Sequence, residues 1–214
     1  MADKLTDKQV ADLLAILRSD AALDHKVAAV TAAKSAIKQH NVPDSCVPHI
    51  FEALRNASVS PHASLLSAGF TALGHLVTRL SRQEPKHLAK EAVRTLPVVV
   101  EKLGDQKDKY RSLASSILIT FYSVNPSEVE RMVKTSAMGG KNPRAKETAL
   151  HWVLLMHQDH GLQFRAYVPL LMELLEDADG MVRDAAKHTV IELFRYVLLC
   201  TLAPNEMRIC PMLT

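Results

Sequence analysis

Three histidines lie close together in the last third of the chain and are of a residue type that binds metals. His151, His157 and His160 fall within ten positions, and the last two could face one way on a helix. A zinc site needs about three or four protein ligands at characteristic spacings, and further ligands at such spacings are not apparent here. We therefore expect no metal site and no cofactor.

Two other patterns resemble catalytic motifs. Gly139-Gly140-Lys141 suggests a phosphate-binding loop, but neither a preceding strand nor the Walker spacing accompanies it. Four carboxylates cluster at a predicted helix end: Glu173, Glu176, Asp177 and Asp179. Paired catalytic carboxylates would need a pocket to hold a substrate, so a solvated turn is the simpler interpretation. The sequence therefore predicts a binding protein and not an enzyme.

The charge and the cysteines exclude several classes of partner and compartment. With 26 basic and 23 acidic residues the formal charge is +3, too near balance to favour nucleic acid or an anionic membrane. Cys46, Cys200 and Cys210 are an odd, scattered set, which predicts no disulfide framework and fits a reducing compartment. The first ten residues lack an apolar segment, and no apolar run is long enough to span a bilayer, so we expect neither signal peptide nor membrane span.

Helix signals recur along nearly the whole chain. The chain contains only 7 glycines, and 5% of its residues are aromatic. This composition favours helix over sheet. A capping box at Thr6 and Gln9 begins the first helix, and Asn142-Pro143 forms a cap and first turn for the eighth. We predict ten helices. Besides these two, six are expected over about 24–39, 44–56, 61–80, 86–103, 107–123 and 164–176. The remaining two begin near 126 and 180. Pro48, Pro97 and Pro169 fall inside predicted helices and predict kinks or early breaks.

The helices form pairs, and the pairs repeat. Positions 26, 64, 111, 146 and 183 each follow a turn and precede a small residue three positions on, with spacings of 38, 47, 35 and 37. Two-helix HEAT or armadillo units have a period of about 40–47 residues, and the tetratricopeptide unit of about 34 is the nearest competitor. The pattern predicts an all-α, HEAT-repeat solenoid of ten helices in five pairs. Arg111 and Arg183 would also satisfy turn carbonyls and the neighbouring repeat's aspartate.

Three segments resemble the TOG-like N-terminal domain of the CLASP family, the cytoplasmic linker-associated proteins, in a fungal version. They read LGDQKDKYRSLASSIL, GGKNPRAKETALHWV and LLEDADGMVRDAAKHTVIELF. The resemblance implies a paddle-like domain over residues 1–195 whose intra-repeat turns bind αβ-tubulin or the microtubule lattice, at plus ends, spindle or kinetochores. It implies a cytoplasmic, cytoskeletal protein that reaches the spindle, in the nucleus where mitosis is closed. The turns are 20–26, 56–61, 104–111, 139–146 and 177–183.

The tubulin surface is acidic, so the resemblance implies a row of basic side chains in these turns. The candidate tubulin-binding residues are Lys26, Lys107, Lys109, Lys141, Arg144, Arg183 and Lys187. TOG domains usually carry an aromatic anchor in the first turn, but here that turn reads SDAALDHKV. The only tryptophan, Trp152, lies in the middle of an apolar helix and is predicted to belong to the core.

Two other functions stay open. A generic HEAT scaffold would bind a non-tubulin protein along its inner helices, where its basic residues would then lie. A HEAT-fold DNA glycosylase would need aromatic side chains and a carboxylate on a basic concave face, which 5% aromatic residues disfavour. The segment 196–214 departs from the repeat pattern, so we expect an atypical tail there, in a chain cut or altered short of its natural end.

Overall fold

The computed structural model describes residues 5–202, with side chains described as far as residue 195. Within this range the chain forms ten α-helices and no strand, which confirms the predicted all-α class. They are α1 (Asp7–Arg18), α2 (Leu23–Gln39), α3 (Val47–Ser58), α4 (Ala63–Gln83), α5 (Pro85–Lys102), α6 (Asp108–Tyr122), α7 (Pro126–Met132), α8 (Pro143–His160), α9 (Val168–Leu175) and α10 (Gly180–Leu202).

Two of the three prolines expected inside helices instead lie in the first turn of one. Pro48 is the second residue of α3 and Pro169 the second residue of α9, and each helix follows a short 3₁₀ turn, Asp44–Cys46 or Phe164–Tyr167. Proline has no N–H to donate to the carbonyl four residues earlier, so it is favoured in the first turn of an α-helix and disfavoured in the helix interior. The predicted third and ninth helices are therefore divided. Pro97 alone lies inside a helix, α5.

The predicted helix caps are present. Thr6 Oγ1 accepts from the Gln9 backbone N–H at 3.3 Å, and Gln9 Oε1 accepts from the Thr6 N–H at 3.0 Å. Asn142 Oδ1 accepts from the backbone N–H groups of Arg144 and Ala145 at 3.1 and 3.4 Å. Both caps satisfy N–H groups that have no partner within the helix. The structure thus confirms the two starts that the sequence marked most clearly.

The described residues divide into two compact units. Unit 1 contains residues 5–99 and 112–130. Its core is built where α4 packs against α2 and α3, around fully buried side chains that include Ile37, Phe51, Leu54, Phe70, Leu73 and Leu76. Gly69 allows the close approach, since a Cβ there would lie 2.5 Å from Ala57 Cβ. A buried pair, Arg55 Nη1 to Glu91 Oε2 at 2.7 Å, joins α3 to α5.

Unit 2 contains residues 100–111 and 131–202. Here α10 packs against α8 and α9, around buried side chains that include Trp152, Val153, Met156, Tyr167, Val182 and Ala186. The prediction that Trp152 is a core residue is confirmed. Gly161 ends α8 with a φ of 67°, a backbone conformation that glycine adopts without steric cost.

The backbone of α10 continues to Leu202. The predicted tail, 196–214, lies outside the residues whose side chains the structure describes, so the boundary after residue 195 stays a prediction. Among the described residues, no helix is both long and apolar enough to cross a bilayer.

Candidate functional site

Three turns of unit 2, residues 104–111, 139–146 and 177–183, each lead into a helix, and two of them share one geometry. In the first, Asp105 Oδ1 accepts from the backbone N–H of Lys107 at 2.9 Å. In the last, Asp177 Oδ1 accepts from the backbone N–H of Asp179 at 2.9 Å. Short aspartate turns of this kind reverse the chain and leave the next N–H groups ready to begin a helix. The repeated acidic turns seen in the sequence therefore form the same local structure.

The arginine that follows each of these acidic turns closes the turn. Arg111 Nη1 donates to the carbonyl oxygens of Asp105 and Gln106 at 2.8 and 3.0 Å. Arg183 Nη1 donates to those of Asp177 and Ala178 at 2.7 and 2.9 Å. The predicted structural role of the two arginines is confirmed for the turn carbonyls. Arg183, a candidate tubulin-binding residue, is therefore engaged by its own turn.

Side chains also join each turn to the next. Asn142 Nδ2 in the second turn donates to the Gly104 carbonyl in the first at 3.2 Å. Lys146 Nζ, also in the second turn, donates to Asp177 Oδ2 in the third at 2.5 Å. A Cβ at position 104 would lie 2.2 Å from Asn142 Nδ2, so a larger residue there would displace the Asn142 side chain from this contact. The three turns form one connected series, which we call the turn row.

The link between Lys146 and Asp177 is largely shielded from solvent. Their side chains are 17% and 12% exposed. The hydrogen bond from Lys146 lowers the pKa of Asp177, and the Asp179 N–H and the positive charges of Lys146 and Arg183 lower it further. A carboxylate held in this way stays ionised and keeps its partners in place. The pair therefore fixes the third turn against the second.

Four basic side chains of the turn row take no part in these links: Lys107, Lys109, Lys141 and Arg144, which we call the exposed turn cations. All four residues are exposed, and in the described part of the chain none of them forms an ion pair with a carboxylate. The ammonium groups of Lys107 and Lys109 lie 5.9 and 4.7 Å from the ring centroid of Tyr110. Such contacts orient a lysine without neutralising its charge. The first two turns thus present cations to solvent from a fixed backbone.

The remaining candidate residues have different surroundings. Lys187 is exposed on α10 and lies 3.4 Å from Asp184, a pair that solvent screens strongly. Lys26 is half-buried near the start of α2 and belongs to unit 1. Six of the seven candidate residues therefore lie in unit 2.

Three residues of this region were not among the predicted site residues: Lys146, Asp177 and Met181. Lys146 and Asp177 supply a link within the turn row. Met181 is 42% exposed. It lies two residues before position 183, just as Lys109 and Arg144 lie two residues before positions 111 and 146. Aligning the three turns on these positions marks Met181 as the equivalent of Lys109 and Arg144, whereas the bond between Lys146 and Asp177 depends on how the turns pack.

The motifs that suggested chemistry are not assembled into a site. His157 is buried with Nδ1 2.8 Å from the Leu162 carbonyl oxygen, whereas His151 and His160 are exposed. Across the described residues, no group of three or more His, Cys, Asp or Glu is placed to hold a metal ion. Gly139-Gly140-Lys141 follows a π-helical turn, Val133–Met138, and not a strand. The exposed turn cations, in contrast, suit recognition of an anionic surface.

Comparisons with known proteins agree with this architecture. The profile of the family described as CLASP N terminal matches residues 6–198. The protein STU1 of Gibberella zeae is 70% identical over 196 residues, which cover 91% of this chain and 17% of that protein. The chain thus spans about a sixth of the length of this curated relative.

Solved structures share the fold at low identity. The N-terminal domain of MAST/Orbit superposes with a TM-score of 0.78 at 21% identity, covering 96% of this chain and 91% of that one. A second structure comes from work on TOG–tubulin binding specificity, microtubule dynamics and mitotic spindle formation. It superposes with a TM-score of 0.74 at 17% identity, covering 93% of this chain and 87% of that one. These likenesses confirm the predicted TOG-like HEAT-repeat fold. The match over residues 6–198 and the identity to STU1 show that this chain belongs to the CLASP N-terminal family.

Proposed function

We propose that this chain is a tubulin-binding module that regulates microtubule dynamics, and that the exposed turn cations contact αβ-tubulin or the microtubule lattice. The observation that carries the proposal is that these four exposed cations form no ion pair with any described residue and lie on turns joined by hydrogen bonds. Membership of the CLASP family supports it, as does the fold shared with a TOG domain studied for tubulin binding.

The turn row suits recognition because its backbone is held before any partner arrives. The Gly104–Asn142 and Lys146–Asp177 links fix the spacing of the turns, so binding loses little conformational entropy. Exposed cations attract an acidic partner over several ångströms and orient it during the encounter. Such a module acts by binding and not by catalysis, and it needs no cofactor.

The site of action follows from the same proposal. A microtubule-binding module works in the cytoplasm on the cytoskeleton, at plus ends, the spindle or kinetochores, and within the nucleus where mitosis is closed. Because the match covers 17% of its relative STU1, we infer that this chain is one module of a larger protein, in which kinetochore or other plus-end proteins are further partners.

The generic HEAT scaffold is the second candidate function. It would bind a non-tubulin protein through basic residues along its helices. The exposed turn cations lie instead in the turns, and Lys109 and Arg144 occupy equivalent positions in two successive turns. This placement supports the tubulin proposal.

Microtubule co-pelleting and gel filtration with free tubulin test the proposal. The variant Lys107→Ala/Lys141→Ala/Arg144→Ala removes three of the exposed turn cations. The control Lys8→Ala/Lys90→Ala/Arg94→Ala removes three exposed cations of unit 1 that have no ion pair in the described part of the chain. We expect the turn variant to bind at least about tenfold more weakly, since charge-assisted contacts contribute about 1.5–3 kcal/mol each.

Equal binding by the two variants would contradict the assignment of the site. Failure of the wild-type chain to bind in both assays, with a helical and cooperatively unfolding protein, would move the proposal to the scaffold function.

A further inference from the structure

A second concentration of positive charge lies in unit 1, between α2 and α4. A depression of about 200 Å³ is lined there by Ile37, Lys38, His75, Thr78, Arg79 and Arg82, which we call the basic depression. Every titratable side chain that lines it is basic. Lys34 lies close enough to influence His75 as well.

The basic depression is far from the turns of its own unit. Arg79 Nε donates to the Ile37 carbonyl at 3.0 Å, and Arg79 Nη2 donates to the Lys38 carbonyl. These carbonyls belong to the last turn of α2, and Lys38 is fifteen residues beyond the start of that helix. At 1.5 Å per residue the separation along the helix axis is about 22 Å. The depression is therefore a feature distinct from turns 20–26 and 56–61.

The walls of the depression are fixed by hydrogen bonds. Gln83, next to Arg82, accepts from the Val42 N–H at 2.9 Å and donates to the Val42 carbonyl at 2.6 Å. Together with the Arg79 bonds, this holds the end of α4 to the end of α2 and the loop that follows it. A pre-formed site loses less entropy when a ligand binds.

The depression holds more cations than are needed to balance the partial negative charge at the helix ends. The last carbonyls of a helix carry partial negative charge and favour nearby cations, and Arg79 meets that need for α2. Lys34, Lys38 and Arg82 remain, and none of them forms an ion pair among residues 5–195. Burial and the nearby charges of Lys38 and Lys34 lower the pKa of His75. The depression therefore carries a concentration of positive charge.

We propose that the basic depression binds an anionic side chain, an aspartate, a glutamate or a phosphorylated residue, presented by an acidic peptide segment. Its volume suits one such side chain and is below the roughly 300 Å³ typical of small-molecule sites. Arg82 supplies planar N–H donors, which match carboxylate and phosphate oxygens well, and Arg79 adds those of Nη1, which its bonds to the Ile37 and Lys38 carbonyls do not use.

A peptide fits these observations better than a membrane or a nucleic acid. Basic membrane-binding surfaces combine cations with apolar anchors, yet the large apolar side chains exposed in the described part of unit 1 are Val59 and Val93, neither of which lines the depression. Nucleic-acid sites extend along a phosphate backbone, whereas this cluster is confined to one small concavity.

Fluorescence anisotropy at low salt tests the proposal with labelled 12-residue peptides. The three peptides differ only in their central residues. The first carries a phosphoserine among glutamates, the second carries glutamates alone, and the third carries glutamines. We compare the wild-type chain with Lys38→Gln/Arg82→Gln and with the control Lys8→Gln/Lys90→Gln, which removes two exposed cations elsewhere in unit 1. We expect both acidic peptides to bind and the glutamine peptide not to bind. The first variant should bind at least about tenfold more weakly, and the control within about twofold of wild type.

NMR locates the site on the unmodified chain. Adding the tighter acidic peptide should shift the ring resonances of His75 and the Nε–H resonance of Arg79. Equal affinity for acidic and neutral peptides, equal weakening in both variants, or shifts confined to the turn row would overturn the proposal. Preferential binding of phosphatidylserine vesicles with the same shifts would overturn the peptide assignment. No tubulin enters these measurements, so their outcome does not depend on the proposed function.

Discussion

Arg111, Lys146 and Arg183 occupy the same place in three successive turns, yet they bind different groups. Each arginine donates to carbonyls of its own turn, whereas Lys146 reaches Asp177 in the next turn. A guanidinium presents several donors in a rigid fork and satisfies two carbonyls at once. A lysine places a single ammonium at the end of a long, flexible chain. The residue type at this position therefore decides whether the side chain closes a turn or joins two turns.

The lowered pKa of Asp177 makes the Lys146–Asp177 link sensitive to acid. A carboxyl whose folded-state pKa lies below its unfolded value stabilises the fold at pH above the unfolded value, and this contribution is lost as pH falls through the folded value. We expect Asp177→Asn to reduce the free energy of unfolding by about 1–3 kcal/mol at pH 7. The difference from wild type should shrink as pH falls below about 4. Urea unfolding between pH 7 and pH 3 measures it.

The control for this prediction is Asp184→Asn, which changes an exposed carboxylate paired with Lys187. This variant should stay close to wild type in stability. A stability difference for Asp177→Asn that stays constant or grows toward low pH would contradict the assigned role of Asp177.

Asn142 combines two roles in one side chain, as the cap of α8 and as the link to Gly104. We expect Asn142→Ala to lower the free energy of unfolding by about 1–2 kcal/mol, because it removes a helix cap and a hydrogen bond between turns. Asn41→Ala, at an exposed loop position, is the matched control and should cost little. Chemical denaturation compares the two variants. Similar losses of stability for both would show that the cap and the link contribute nothing specific.

At the scale of elements, close helix packing depends on two kinds of contact at glycine. Near Gly69 of α4 a Cβ would meet Ala57 backbone carbon at 2.8 Å and the Ser58 nitrogen at 2.9 Å. Near Gly74 of the same helix it would meet Leu113 Cδ1 at 2.8 Å. Backbone atoms of a packed helix move only if the whole helix moves, whereas a leucine can change rotamer. Helix α4 is therefore more constrained along α3 than beside Leu113.

This difference predicts different outcomes for two similar substitutions. We expect Gly69→Ala to destabilise the protein by about 1–3 kcal/mol, because overpacking outweighs the gain in helix propensity. Gly74→Ala should be near neutral, since the gain of about 0.5–1 kcal/mol offsets a small shift of Leu113. Thermal or urea unfolding of both variants measures the difference. Equal stabilities would show that α3 and α4 can separate at little cost.

At the scale of the whole molecule, the distribution of charge matters more than its sum. The formal charge of +3 predicts no preference for anionic partners. The structure nevertheless places four unpaired cations on the turn row of unit 2 and a second cluster at the basic depression of unit 1. Steering and recognition depend on such local fields, which a net charge does not describe.

The tubulin affinity of the whole chain should depend on ionic strength. We expect binding to weaken as salt rises from about 50 to about 200 mM, because salt screens interactions between exposed charges. Lys107→Ala/Lys141→Ala/Arg144→Ala should show a flatter dependence, since it has lost three of the exposed turn cations. Gel filtration or anisotropy with free tubulin at several salt concentrations gives both slopes. Binding that is strong and independent of salt would contradict an electrostatic turn row.

By itself the sequence determined the all-α class, the ten helices, the repeating turns and the structural role of Arg111 and Arg183. These features depend on caps, apolar periodicity and turn residues, which act over a few neighbouring positions. Tertiary structure alone decided that Lys146 pairs with Asp177, that Asn142 reaches Gly104, and that His157 is buried while His160 is exposed. It also brought Lys38 and Arg82 to one depression. Residues 31 to 44 positions apart meet only when helices pack, and no local pattern carries that information.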